Sequence, residues 1–234
     1  MSYGVEGKIG TLAEKHLHRT LKYYFEPDES KHEISYHGAV ADIRNEQGII
    51  EIQTRAFDKL LPKLEKFLGD ERVTVVFPII ERKTVCQIDT ETGETVSIRK
   101  SPKRGKAADV LPELAKIGSY LPHPNLEVLL VFLDATETRM KNGKIKVGRK
   151  KTTKIDCIPT AINAVLSLSR AEDYSVILPN ELPREFTSEE FERITRLHAI
   201  DKHNSLMLLM KLGFLTREKK QGSRAYIYSL REYL

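Results

Sequence analysis

The sequence predicts an α/β fold, a mixed sheet flanked by helices, followed by a smaller C-terminal domain of helices and a hairpin. Three observations carry that expectation. Helical and period-2 segments alternate through the first part of the chain, as they do where helices pack on a sheet. Val73–Ile80 and Val128–Leu133 are continuous apolar runs, the pattern of strands buried on both faces. From about residue 158 the texture changes to short helical segments ending in a strand–turn–strand pattern. The predicted domains are therefore 1–157 and 158–234.

Composition sets limits on function. The 234 residues are 40% hydrophobic, enough for a core and too many for a disordered chain. Lys+Arg number 38 against Asp+Glu 33, a net charge of +5, and the pI is about 9.0. That mild excess permits a polyanionic partner without requiring one. Cys86 and Cys157 lie far apart in apolar surroundings and read as reduced core residues, not as a disulfide or metal pair. The longest apolar run, Val128–Leu133, is far short of the roughly 20 residues that span a bilayer. Residues 1–10 show no charged-then-apolar leader pattern. A cytoplasmic protein with no membrane partner is the expectation.

The elements follow in order. Ile9, Leu12, Ala13, Leu17, Leu21 and Tyr24 recur at helical spacing and predict a helix over 8–24, with Glu14, Lys15, His18, Arg19 and Lys22 on its other face. Strands are predicted at 32–36, 38–44 and 49–54, the last two joined across the polar turn Asn45-Glu46-Gln47-Gly48. Leu60, Leu61, Leu64, Phe67 and Leu68 mark a second helix that exposes Lys59, Lys63 and Lys66. After the run 73–80 come a hairpin (84–89 and 95–99), the basic loop 99–106, a helix over 111–121, the strand 128–133 and a basic stretch, 140–154. Both basic segments suit phosphate contacts, and both suit solvated loops equally well. In the C-terminal part, helices are predicted over 160–169, 188–198 and 202–212. Thr187 and Glu190 form a capping box for the second, and Gly213 stops the third. A hairpin over 214–230 follows.

The chemically informative stretch is the hairpin carrying Asp42, Glu51 and Gln53. Strand alternation puts Glu51 and Gln53 on one face, with Ile50 and Ile52 turned to the core. The short turn brings Asp42 beside Glu51. Two converging carboxylates make a hard-oxygen site suited to Mg²⁺ or Mn²⁺. Such an ion activates water and neutralises charge developing on a phosphate.

This pattern resembles the PD-(D/E)xK, or restriction endonuclease-like, nuclease superfamily. Ala41-Asp42 looks like its "PD", with Ala for Pro, and Glu51-Ile52-Gln53 looks like its "ExK", with Gln for Lys. Glu14 stands where many members carry a further metal-binding acid on the preceding helix. The resemblance covers roughly residues 5–80. It implies Asp42, Glu51 and Glu14 as ligands of Mg²⁺ (or Mn²⁺), Gln53 as the group orienting the attacking water, and phosphodiester hydrolysis as the reaction. Gln supplies two donors and no charge where Lys supplies three donors and a charge. A catalytically inactive nuclease-fold protein that binds DNA or regulates is therefore the alternative. Arg55, Lys59 and Lys63 lie just beyond the motif, where they can meet a phosphate or form an ordinary solvated face. Glu33 is a possible extra acid, whereas His16, His18, His32 and His37 show no metal-ligand spacing.

The C-terminal segment resembles a winged helix. The resemblance implies DNA as the partner, with Lys202, Asn204, His203, Ser205 and Lys211 presented by the third helix and Arg217, Lys219, Lys220 and Arg224 by the wing. Winged helices also serve as protein–protein modules, so a scaffold without a nucleic-acid partner stays open. A homodimer is a further option, because two nuclease sites cut both strands.

Overall fold

The computed structural model describes residues 9–89, 92–141, 152–219, 222 and 225–231, with side chains described from residue 16 onward and excluding residue 141. The chain opens with helix α1 (Ile9–Phe25) and strands β1 (His32–Tyr36), β2 (Ala39–Asn45) and β3 (Gly48–Ile52). Helix α2 (Leu61–Phe67), β4 (Val73–Ile88), β5 (Thr95–Lys100), α3 (Leu111–Lys116), β6 (Leu126–Lys141) and β7 (Thr152–Leu168) complete the larger unit. Then come β8 (Glu185–Thr187), α4 (Ser188–Thr195), α5 (Ala199–Lys211), β9 (Leu215–Lys219) and β10 (Tyr226–Leu230).

The predicted α/β architecture holds. Seven strands form one mixed sheet in the order β1-β2-β3-β4-β6-β7, with β5 paired to the far part of β4. β1, β2 and β3 form an antiparallel meander. β3 then pairs parallel to β4 after the crossover through α2, and β4 pairs parallel to β6 along nearly its whole length. The apolar run of β4 explains its central place, since Val73–Phe77 and Ile79 are buried with neighbours on both faces.

Two apolar clusters sandwich the sheet. Leu17 and Leu21 of α1 pack on Ile43, Ile50, Ile52, Val76, Val131 and Leu133. On the other side, Leu60, Leu64 and Phe67 pack with Val73, Val75, Phe77, Leu111 and Leu114. That second cluster runs on without a break into Leu206, Leu208, Leu209 and Phe214.

Several expectations are corrected. Residues 160–169 are not a helix. They are the end of the 17-residue strand β7, antiparallel to β6. Ala161, Ile162, Ala164, Val165 and Leu166 satisfy helical spacing, but strand pairing with the long neighbour β6 prevails over so short an apolar run. A boundary at 157/158 would cut this strand, and the large sheet extends to Leu168. The runs 73–80 and 84–89 join into one strand, bulged at Glu81. The helix from Leu111 ends at Lys116. The basic stretch over 142–151 lies outside the described residues.

Candidate functional site

β2 and β3 place the two carboxylates as the hairpin spacing predicts. The register continues Ile43 opposite Ile50, which sets Asp42 beside Glu51. The Asp42 amide donates to Glu51 Oε1 at 3.3 Å, and the Ile52 amide donates to Asp42 Oδ2 at 2.8 Å. Glu51 is 2% exposed, while Ile50 and Ile52 sit on the opposite face under α1. Gly48 makes the hairpin possible. Its φ is +114°, and a Cβ there would lie 2.3 Å from the Arg72 carbonyl oxygen.

Two further side chains reach the pair from the flanking helices. Lys63 of α2 places Nζ 2.7 Å from Glu51 Oε2, and His18 of α1 places Nε2 3.0 Å from Asp42 Oδ2. Burial, reinforced by the charge of Asp42 and opposed by Lys63, pushes the Glu51 carboxyl up to about 7. Burial also acts to raise Asp42. The hydrogen bond and charge of His18, the Ile52 amide and Lys63 outweigh it and hold Asp42 below the ordinary carboxylate range. Neighbouring carboxyls pushed apart in this way are characteristic of sites that handle protons or cations.

The pair opens into a cleft of about 820 Å³ that His18, Arg19, Lys22, Arg55, Lys59 and Lys63 also line. Glu33 and Ala56 on its wall adopt positive φ, 52° and 59°. Such strain persists only where the surroundings enforce it. The buried Lys22 ammonium holds Glu33 on that wall.

The Gln53 side chain is tied to the backbone through its amide nitrogen. Its Nε2 donates to the carbonyls of Arg55 (2.7 Å) and Ala56 (3.3 Å), the second of which also accepts the Lys59 amide at 3.0 Å as the chain turns left-handed at Ala56. The cation beside the carboxylate pair is Lys63, which the sequence offered either as a phosphate contact or as part of a solvated helix face. Arg55 and Lys59 also line the cleft. Glu14 is on α1, four residues before His18, and its side chain lies outside the described residues. No group of three His, Cys, Asp or Glu side chains that could hold a metal occurs among the described residues. Two carboxylates nonetheless match Mg²⁺, which keeps several waters and takes one or two protein carboxylates. Asp42 Oδ1 carries no hydrogen bond among the described residues, so one oxygen of the pair is open to a cation.

Of the C-terminal candidates, Lys202 pairs with Glu192, and Lys211 donates to the Gly118 carbonyl at 2.8 Å. Ser205 is buried, while His203 and Asn204 are exposed. Arg217 stacks over Tyr226 with its guanidinium carbon 4.3 Å from the ring centre, and Lys219 is exposed at the end of β9. Lys220 and Arg224 lie outside the described residues. Cys86 and Cys157 are both free, and Cys157 is buried. No helix among the described residues is long and apolar enough to cross a membrane.

Comparison with known proteins places this arrangement in a family. No solved structure matches the chain. An uncharacterised protein of Treponema pallidum (strain Nichols) is 27% identical over 216 residues, covering 92% of this chain and 84% of the relative. The profile of a domain of unknown function, DUF8091, matches residues 15–169. That match runs from α1 to the end of β7 and takes in the whole seven-stranded sheet with the Asp42–Glu51 cleft, so the chain belongs to the DUF8091 family.

Proposed function

We propose that the protein is a Mg²⁺-dependent phosphodiesterase acting on nucleic acid, with DNA as its substrate. The observation that carries this reading is the buried Asp42–Glu51 pair with the Lys63 ammonium 2.7 Å from Glu51, at the base of a cleft rimmed by cations. Asp42 and Glu51 would hold the ion, with Glu14 as the expected third acid. Bound there, the ion would lower the pKa of a water and offset charge on the scissile phosphate. The chain's own groups do the rest. His18 fixes the Asp42 carboxylate through Oδ2. Lys63 supplies the positive charge that Gln53 lacks, and Gln53 fixes the turn that carries Arg55. Arg55 and Lys59 stand where they can hold the flanking phosphates.

Downstream, the order β8–α4–α5–β9–β10 and the three-stranded sheet β8-β10-β9 support a winged-helix reading, with Arg217 and Lys219 on the wing. Its recognition helix would be α5. Lys202 and Lys211 are engaged within the protein, so the wing is the better candidate for backbone contacts.

A second reading, a DNA-binding protein that no longer cleaves, is favoured by the Gln53 amide being held by the backbone and by the closed Glu51–Lys63 ion pair. One assay separates the two. DNA and RNA substrates are incubated with Mg²⁺ or Mn²⁺ and either wild type or Asp42→Ala/Glu51→Ala. Cleavage by wild type alone is the expected result. Cleavage by neither, with binding retained, assigns the protein to the second reading. Equal cleavage by both removes the site altogether.

A further inference from the structure

We infer that the loop 101–105 and the bulged region where β4, β6 and β7 meet build a second anion site, one that binds the phosphate group of a polynucleotide backbone. The chain is irregular there in all three strands at one level. The β4–β6 register shifts between Ile80 and Arg82. The β6–β7 register shifts between Phe132 and Leu133 and again between Asp134 and Ala135. Bulges of this kind re-aim side chains and are common beside functional sites. They open a pocket of about 380 Å³ between the strands and the loop.

The loop closes that pocket in a fixed position. The Ser101 amide donates to the Lys83 carbonyl at 2.7 Å, and the Gly105 amide donates to the Ile80 carbonyl at 2.8 Å, so both loop ends are bonded to β4. Gly105 permits this approach, since a Cβ there would lie 2.7 Å from the Ile80 oxygen.

The charges sort into two sets. Arg82 pairs with Asp134 at 2.9 Å, and Lys83 pairs with Glu137 at 2.9 Å. Asn163 also donates to Asp134 at 2.9 Å, so that carboxylate is compensated. Lys100 and Arg104 line the same pocket and have no ion pair among the described residues. Thr84, Ser101 and Thr160 line it as well. Two cations without an ion pair among the described residues, one of them a guanidinium fork, beside residues that carry hydroxyls, match the tetrahedral oxygens of a phosphate.

The place in the fold favours a polymer over a free ion. The Gln53 amide bonds to the Val76 carbonyl at the mouth of the carboxylate cleft. Arg82 lies six residues further along the same strand, about 20 Å at the rise of a β-strand. One extended polyanion can therefore touch both places. The inference concerns binding and stands whether or not the cleft cleaves.

The test uses the full chain in EDTA, so that cleavage plays no part. Fluorescence polarisation of labelled single-stranded and duplex DNA of about 12 units is followed across a salt series. Wild type is compared with Lys100→Ala/Arg104→Ala and with Arg99→Ala/Lys103→Ala, which removes the same charge from the same segment outside the pocket. The expected result is a roughly tenfold loss and a salt slope lower by about 2 for the pocket variant, with less than about a threefold change for the other. Equal losses in both variants, or no loss in the pocket variant, overturn the inference. If wild type binds neither DNA, inorganic phosphate is titrated while the Ser101 and Gly105 amide resonances are followed. Shifts that vanish in the pocket variant keep the phosphate site but overturn its assignment to a polynucleotide, and unmoved resonances overturn both.

Discussion

Glu51 carries more of the proposed chemistry than any other residue, and its environment makes a pH-dependent statement. Its carboxyl is pushed up to about 7 from an ordinary 4.5, first by burial and then by the charge of Asp42. A folded-state pKa above the unfolded value means that folding takes up a proton between those two values. Stability from this group is therefore present at low pH and falls as pH rises from about 4.5 towards about 7. Asp42, held below its ordinary value, acts in the opposite sense, and its contribution is lost on acidification. Glu51→Gln should flatten the decline across the upper window while leaving the acid limb in place. Urea midpoints measured at successive pH values check this, and an unchanged decline in the variant would place its source elsewhere. Asp42→Asn removes the like charge and should bring the Glu51 carboxyl back towards the ordinary range, read by carboxyl-carbon NMR. The same carboxyl must lose its proton to hold a cation, so Mn²⁺ affinity should rise with pH up to about 7 and level off above it.

The hairpin is the element that makes these two residues a site, and Gly48 is its most constrained point. Gly48→Ala meets both the +114° torsion and the Arg72 carbonyl at 2.3 Å, so the β2–β3 hairpin or the start of β4 must move. A loss of about 2 kcal/mol or more is expected in thermal or urea unfolding, together with loss of any metal binding at Asp42 and Glu51. A variant as stable as wild type would show that the turn has room the geometry denies. The second unit offers a milder counterpart. Thr187 caps α4, accepting from the Glu190 amide, while Glu190 returns a bond to the Thr187 amide. Thr187→Ala should cost about 1 kcal/mol.

These two elements also show what was legible beforehand. The Asp42–Glu51 pairing followed from strand alternation across a short turn, and the Thr187 box from a local spacing rule, because both depend on neighbours in sequence. His18 and Lys63 complete the site from helices whose approach depends on how α1 and α2 cross the sheet, and no local pattern encodes that. A partial signal existed, since Glu14, His18 and Lys22 fall at four-residue steps on one face of α1. Residues 160–169 misled for a related reason. Their apolar pattern fits a helix and a strand alike, and only β6, more than twenty residues earlier, decides between them.

At the scale of the whole molecule, the question is whether the seven-stranded sheet and the C-terminal segment are one folding unit or two. The sequence suggested two domains, and the core argues for coupling. Leu111 and Leu114 of α3 share a continuous apolar cluster with Leu206, Leu208 and Leu209 of α5 and with Phe214. The contact is close, since a Cβ added at Gly118 would touch Leu208 Cδ1 at 3.4 Å, and Lys211 ties α5 to the Gly118 carbonyl. Leu208 is 4% exposed. Leu208→Ala removes buried methyls from a junction that rigid elements on both sides keep from collapsing, so a cost of about 2–4 kcal/mol is expected. If the two parts unfold as one, that cost should appear equally everywhere. Hydrogen exchange at β6 amides and at β10 amides should then accelerate together, and far-ultraviolet circular dichroism should show a single transition at lower denaturant. If β10 is released early while β6 keeps wild-type protection, the shared cluster is an interface between separable units. In that event the β9–β10 hairpin and the carboxylate cleft hold their relative position only weakly. A single cooperative loss would instead make the C-terminal segment part of the same rigid unit that carries Asp42 and Glu51, as the proposed binding of one polyanion across both requires.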